Sequence, residues 1–355
     1  GCRFEGWSGL DLNSHTLVAD WHKSLIASSL KWGRLVRIRL RPPGDSVRSI
    51  GATDTASYFG STNRFRDLAI TAGGKDIYVI MDRSATTSGP SAANPVIPAC
   101  GGCVQKYRFL GYPDAAGKSM LPTEIDISPG IDLNIAPGTT VTIDSENSNY
   151  WVPITGPDGE IVAEIFANGQ TLGQVTSAFY KNPLTYSLRQ RGFKRYLDRN
   201  ITINAQIPPV SPIKIRFYIT KEEYDHHDND IYSQLNSLSH MMIFRNNDPI
   251  QAGMVAPVTM IAPTYRDPFD VKGYVLQADN ITALNSFYFG AANLTLPVNL
   301  LTFTGQYKNQ ASHLKWETSG EINTDHFVVE RSLPNGNFEA IGKVDGKGNN
   351  NQKTT

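Results

Sequence analysis

Short apolar stretches with a two-residue period recur along the whole chain, separated by clusters of Gly, Pro, Asn, Asp and Ser. That spacing places alternate side chains on opposite faces of an extended strand, whereas a helix would need apolar residues three and four apart. Residues 24–29 and 34–40 form one such pair, the second reading Arg-Leu-Val-Arg-Ile-Arg-Leu. Residues 67–71 and 77–81 form another, joined by the tight-turn composition Ala72-Gly73-Gly74-Lys75. A further strand is expected over 104–110, after a loop rich in Ser, Ala, Pro and Gly. Short antiparallel hairpins of this kind suit the blades of a β-propeller, and the periodicity alone also allows a sandwich.

Beyond residue 112 the punctuation changes. Turns at Pro137-Gly138 and Pro157-Asp158-Gly159 separate strands expected over 141–143, 161–167, 201–207, 213–220, 271–277 and 285–289, with a short helix over 231–238. We read 113–295 as one large β-sandwich. Residues 296–355 carry four strands, over 300–305, 312–317, 326–331 and 338–344, with Trp316 turned inward. Four strands at this spacing make the first half of a fibronectin-III-like sandwich. Half a sandwich leaves an unpaired edge and an uncovered face, so the protein is expected to continue past residue 355. With neither an initiator Met nor a signal peptide at Gly1, both ends of the sequence read as cut.

Composition narrows the class. The 355 residues balance 33 Lys and Arg against 33 Asp and Glu, which argues against a nucleic-acid partner for the chain as a whole. No run of 18 apolar residues is present, so no transmembrane helix is expected. Three cysteines (Cys2, Cys100 and Cys103) are too few for a disulfide framework. The fold class is therefore all-β, in several modules.

The most specific chemistry lies in two segments: residues 28–40, Ser-Ser-Leu-Lys-Trp-Gly-Arg-Leu-Val-Arg-Ile-Arg-Leu, and Asn63-Arg64-Phe65-Arg66-Asp67-Leu68 with the hairpin that runs on to Asp82. In an extended strand Arg64 and Arg66 point one way and Phe65 the other. Two guanidiniums on one face make a multidentate clamp for a carboxylate or phosphate. The same arginines could instead pair with Asp67 or cap a strand end.

With the Ile77-Tyr78-Val79 hairpin that follows, these segments resemble the closing part of soluble pyrroloquinoline quinone (PQQ) glucose and sorbosone dehydrogenases, over residues ~10–112. The resemblance implies a six-bladed propeller whose last blades these residues form. It implies that Lys31, Arg64 and Arg66 contact the three carboxylates of PQQ. Trp7 is the aromatic expected to cover the cofactor and substrate. The general base and the calcium ligands of that family belong to earlier blades, so no catalytic residue and no metal ligand is assigned here. The turn Ala72-Gly73-Gly74 departs from the family's acidic turn. An aldose substrate and an external electron acceptor follow as partners.

Residues 150–173 and 195–203 resemble a β-sandwich module of large secreted Bacteroidetes proteins, and 296–332 resembles the fibronectin-type stretch that precedes a type IX secretion sorting domain. These imply a secreted or cell-surface protein. In that oxidising setting Cys100-Gly-Gly-Cys103 is expected to close a local disulfide. The alternative reading is a non-catalytic cell-surface protein that binds glycans or other surfaces and keeps a relic propeller. Tyr150 and Trp151 offer that reading a sugar platform, although Trp151 and Trp316 also fit as core residues. The run Asp225-His226-His227-Asp228-Asn229-Asp230 reads as a solvated acidic turn rather than a metal site.

Overall fold

A computed structural model describes residues 6–18, 21–41, 44–47, 55–113, 136–137, 140–156, 161–181, 188–191, 194–230, 233, 235, 237–246, 253–254, 258–269, 273–292, 300–318, 321–332 and 338–350. The protein is all-β, in several antiparallel sheets, and α1 (Lys221–Asp228) is the one α-helix among the described residues. No helix among them is long and apolar enough to cross a membrane. The chain divides into two compact units, the first comprising Gly1–Pro183, Thr202–Lys221 and Thr264–Leu284, the second the remainder.

The first unit opens with a four-stranded antiparallel meander: β1 (Trp7–Asn13), β2 (Ser24–Ser29), β3 (Arg34–Arg39) and β4 (Thr55–Tyr58). A three-stranded meander follows: β5 (Asn63–Ile70), β6 (Asp76–Ala85) and β7 (Val104–Arg108). Their inner faces share one core of Trp21, Ile26, Leu35, Phe65, Leu68, Ile77, Val79 and Met81. A four-stranded and a three-stranded meander packed through a shared core occur in propellers and in sandwiches alike. A closed ring of blades is not formed by the described residues.

Then come β8 (Tyr112–Pro113), β9 (Ala136–Pro137), β10 (Val141–Ile143), β11 (Tyr150–Thr155), β12 (Ile161–Phe166) and β13 (Gly173–Lys181). The second unit begins with β14 (Leu188–Arg191) and β15 (Lys194–Leu197). The strands β16 (Arg199–Ala205) and β17 (Ile213–Thr220) precede α1. After α1 come β18 (Met241–Asn246), β19 (Thr259–Ile261), β20 (Tyr265–Phe269), β21 (Gly273–Ile281) and β22 (Ser286–Ala291). In the first unit these build a six-stranded sheet, β20-β21-β17-β12-β11-β8, and a ladder β10-β13-β16. Strand β8 begins at Tyr112 and pairs with Tyr150 and Trp151, so it spans the 112/113 boundary expected from sequence.

The second unit pairs β18 with β19 and β22, and β15 with β14 and β22. It ends in two separate hairpins, β23 (Leu300–Lys308) with β24 (Ala311–Thr318) and β25 (Glu321–Ser332) with β26 (Phe338–Asn350). Trp316 touches the rings of Phe303 and Phe327, one from each hairpin, at 6.4 and 5.8 Å between centroids.

Three expectations are corrected here. Residues Asp225 to Asp228 are not a solvated turn; they form the end of α1, and His227 is fully buried. The helix starts ten residues before the one expected over 231–238, because Glu222 and Glu223 suit the positive N-terminal end of a helix. Of that expected helix, residues 231, 232, 234 and 236 lie outside the described residues, and 233, 235 and 237 are turn or coil. Trp151 is no sugar platform: it is fully buried, with the Arg216 guanidinium 3.8 Å from its ring.

Candidate anion-binding site on the N-terminal sheets

The two arginines of the Asn63–Leu68 segment sit on β5, whose partner β6 does not follow it residue for residue. Between the pairs Asn63↔Ala85 and Phe65↔Met81, two steps along β5 face four along β6. Between Phe65↔Met81 and Asp67↔Ile80, two steps face one, so Arg66 is the extra residue of a bulge. The first irregularity places Asp82 opposite the arginines. Arg66 Nη2 donates to Asp82 Oδ2 at 2.9 Å, and Arg64 Nε lies 3.8 Å from the same oxygen. Arg64 Nη1 also donates to Ser88 Oγ at 3.1 Å. Phe65, between them, is fully buried on the opposite face.

Two guanidiniums therefore share one carboxylate, and that carboxylate is Asp82 rather than Asp67. Asp67 Oδ1 accepts from the Leu68 amide instead. Burial pushes the Asp82 carboxyl up, but the Ser84 and Arg83 amides and the Arg66 and Arg64 charges outweigh it and hold it below the ordinary value. Asp82 thus stays ionised at neutral pH and balances one of the two positive charges. The Nε–H of Arg64 is buried and makes no hydrogen bond among the described residues.

Lys31 lies exposed in the turn between β2 and β3. That turn is pressed onto the start of β5. The Ser61 amide donates to the Gly33 carbonyl at 2.8 Å, and a methyl group on Gly33 would meet the Ser61 and Asn63 carbonyl oxygens at 2.3 Å. Lys31 is two residues from Gly33 and Arg64 one from Asn63, so chain connectivity holds their Cα atoms within about 15 Å. Trp7 begins β1 opposite Ser29 and is 51% exposed. Its neighbour Ser8 donates to the Phe65 carbonyl at 2.5 Å. Trp7, Lys31, Arg64 and Arg66 therefore gather at one end of the two meanders.

Sequence reasoning assigned no role to two participants. Arg34 stacks on Trp32 with its guanidinium carbon 3.7 Å from the ring centroid, which adds a fourth cation and a second exposed indole. Asp82 was not expected as the partner of the arginines, because nothing in the alternation marks a bulge. The Cys100–Cys103 disulfide expected from the sequence is formed, with Cα atoms 5.8 Å apart. The Cys100 amide donates to Asn63 Oδ1 at 2.7 Å and the Gly102 amide to the Asp82 carbonyl at 3.0 Å. The loop so braces the residues that carry Arg64 and Asp82.

The donor set fits a polycarboxylate such as PQQ. Among the described residues, Lys31, Arg34, Arg64 and Arg66 outnumber the carboxylate of Asp82, the buried Arg64 Nε–H has no acceptor, and two exposed indoles offer flat faces. Among the described residues no three His, Cys, Asp or Glu side chains gather as metal ligands. The chain matches no family model, and no curated protein is significantly similar to it.

Proposed function

We propose that the N-terminal meanders anchor a small aromatic polycarboxylate, PQQ, for the oxidation of an aldose outside the cytoplasm. The observation that carries this reading is the Arg64–Asp82–Arg66 arrangement, in which two guanidiniums share a single carboxylate beside the Lys31 turn. Arg64 and Arg66 orient the ligand's carboxylates, Lys31 adds charge without fixed geometry, and Trp7 offers a stacking face. PQQ, when bound, supplies the two-electron acceptor that amino-acid side chains lack. A catalytic base and a calcium site belong, in the family resembled, to blades that have no match in this sequence.

The test is calorimetric titration of the 355-residue protein with PQQ. Binding is expected, and Arg64→Ala or Arg66→Ala should weaken it about tenfold or more, the worth of a charge-assisted hydrogen bond. Arg66→Ala, at a side chain 55% exposed, should change stability by less than about 1 kcal/mol. Absence of PQQ binding, or equal affinity in both variants, overturns the reading. In a dye-linked assay with aldoses, PQQ and calcium, the isolated chain is expected to give no steady turnover.

A further inference from the structure

A second ligand site is built into the first unit, where the end of the N-terminal meanders meets the following sheet, and it does not rest on the PQQ reading. A cavity of about 390 Å³ opens there. Leu17, Phe109, Leu110, Val141 and Val152 give it apolar walls, and His15 and Lys75 reach it from the same side. Two ion pairs hold its flanks together, Arg108 Nη1 to Glu146 Oε2 at 2.5 Å and Lys75 Nζ to Asp144 Oδ2 at 3.8 Å. The close approach of Gly74, φ +69°, to the Cβ of His15 fixes the turn that carries Lys75.

The polar groups at this cavity are unevenly engaged. Asn147 uses both ends of its amide: Oδ1 accepts from the Asp144 amide at 2.8 Å and Nδ2 donates to the Thr142 carbonyl at 2.8 Å. Asp144 Oδ1 accepts from the Glu146 amide at 2.9 Å. The Lys75 ammonium and the His15 ring, in contrast, make no hydrogen bond among the described residues, and the ammonium keeps only its 3.8 Å approach to Asp144, which is beyond hydrogen-bond range. The cavity therefore offers donors at one end and apolar surface elsewhere. A group that only accepts hydrogen bonds and carries negative charge matches those donors, and a carboxylate is such a group.

We propose that this cavity binds an apolar molecule ending in a carboxylate, with the carboxylate on Lys75 and His15 and the hydrocarbon against Leu17, Phe109, Val141 and Val152. Pockets of this size with mostly apolar walls and a few convergent polar groups are the usual form of small-molecule sites.

Sodium octanoate is the probe, with 1-octanol as the uncharged control, titrated into the 355-residue protein by calorimetry. The expected result is saturable one-site binding of octanoate, weakened about tenfold or more by Lys75→Met. Thr142→Trp, at the exposed rim, should fill the mouth and abolish binding. Both positions are at the surface, and unchanged circular dichroism confirms the fold of each variant. No saturable octanoate binding, octanol binding as tight as octanoate, or affinity unchanged in both variants overturns the proposal.

Discussion

The phenol of Tyr218 donates a 2.6 Å hydrogen bond to the carboxylate of Glu164, and both side chains are closed to solvent. They face each other across β12 and β17, where Glu164 is the register partner of Arg216. Arg216 Nη1 lies 3.7 Å from the same carboxylate, and its Nε donates to Gln277 Oε1 at 2.9 Å. The burial of Tyr218 and the charge of Glu164 beside it push its phenol well above the ordinary value. Tyr218→Phe should lose about 1–3 kcal/mol, because it removes a donor from a buried carboxylate. Glu164→Leu should lose about 3–5 kcal/mol, because it leaves the Arg216 charge buried without that carboxylate. Urea midpoints measure both, and a Glu164→Leu loss no larger than that of Tyr218→Phe contradicts the account.

His227 sets an acid limit on stability. Its burial in α1 drives the imidazole down to about 4, against the opposing influence of Asp230 and the Arg195 backbone. The charged neighbours are Asp230, itself held by Arg195 at 2.7 Å, and His226 on the same helix. Since the folded value lies below the ordinary 6.5, the unfolded chain binds the proton first. Stability is thus complete above about pH 6.5 and falls as pH drops towards 4, by about 3 kcal/mol from this group alone. A His227→Leu variant should lose that slope. Stability curves measured from pH 7 to 4 that are parallel for both proteins would rule the explanation out.

The disulfide closes only a short loop, so its entropic effect is small. For a four-residue loop the chain-entropy relation gives about 2 kcal/mol. Replacing Cys100 and Cys103 with Ser should therefore lower stability by no more than that, yet speed amide exchange at Gly102 and Met81, whose amides donate to Asp82 and Cys103. Thiol titration of the native protein should find neither cysteine reactive. Two reactive thiols per chain would refute this.

How much could be read in advance followed from how each strand is buried. Strand β17 was legible to the residue, and β2 likewise, because Gly, Pro or charged residues punctuate both ends of each. Strand β11 went unread because Pro153 interrupts its apolar run, and a proline inside such a run argues against a strand. Strand β1 was missed because Ser8, Gly9, Asp11 and Asn13 give it the composition of a turn. Arg64 and Arg66 stood out by their spacing on one face, and Lys31 only through the family resemblance. Their partner was not, since the register shift that brings Asp82 to them is a tertiary feature. His227 left a faint signal: Glu223 and His227 are four apart and share a helical face, and both are buried.

The candidate site depends on one glycine. Gly33 holds φ +54° at the end of the Lys31 turn, a left-handed conformation that side chains disfavour. Space is more decisive than conformation, because the 2.3 Å approaches to the Ser61 and Asn63 oxygens involve backbone atoms that cannot rotate away. Gly33→Ala must therefore push the turn off the start of β5, breaking the Ser61–Gly33 hydrogen bond and separating Lys31 from Arg64. A stability loss of about 2–4 kcal/mol is expected, from backbone strain together with a lost contact. On the proposed function, PQQ affinity should fall with it, although none of the side chains proposed to contact the ligand has changed. Gly60 supplies the control: it lies beside Ser61 in the β4–β5 loop against which the Gly33 turn packs, and a methyl group there would meet nothing within 4 Å. Gly60→Ala should leave both stability and affinity within error of the parent. Urea denaturation and PQQ titration of the two variants decide the matter. Equal behaviour of Gly33→Ala and Gly60→Ala would mean that the β2–β3 turn is not what brings Lys31 to the arginines.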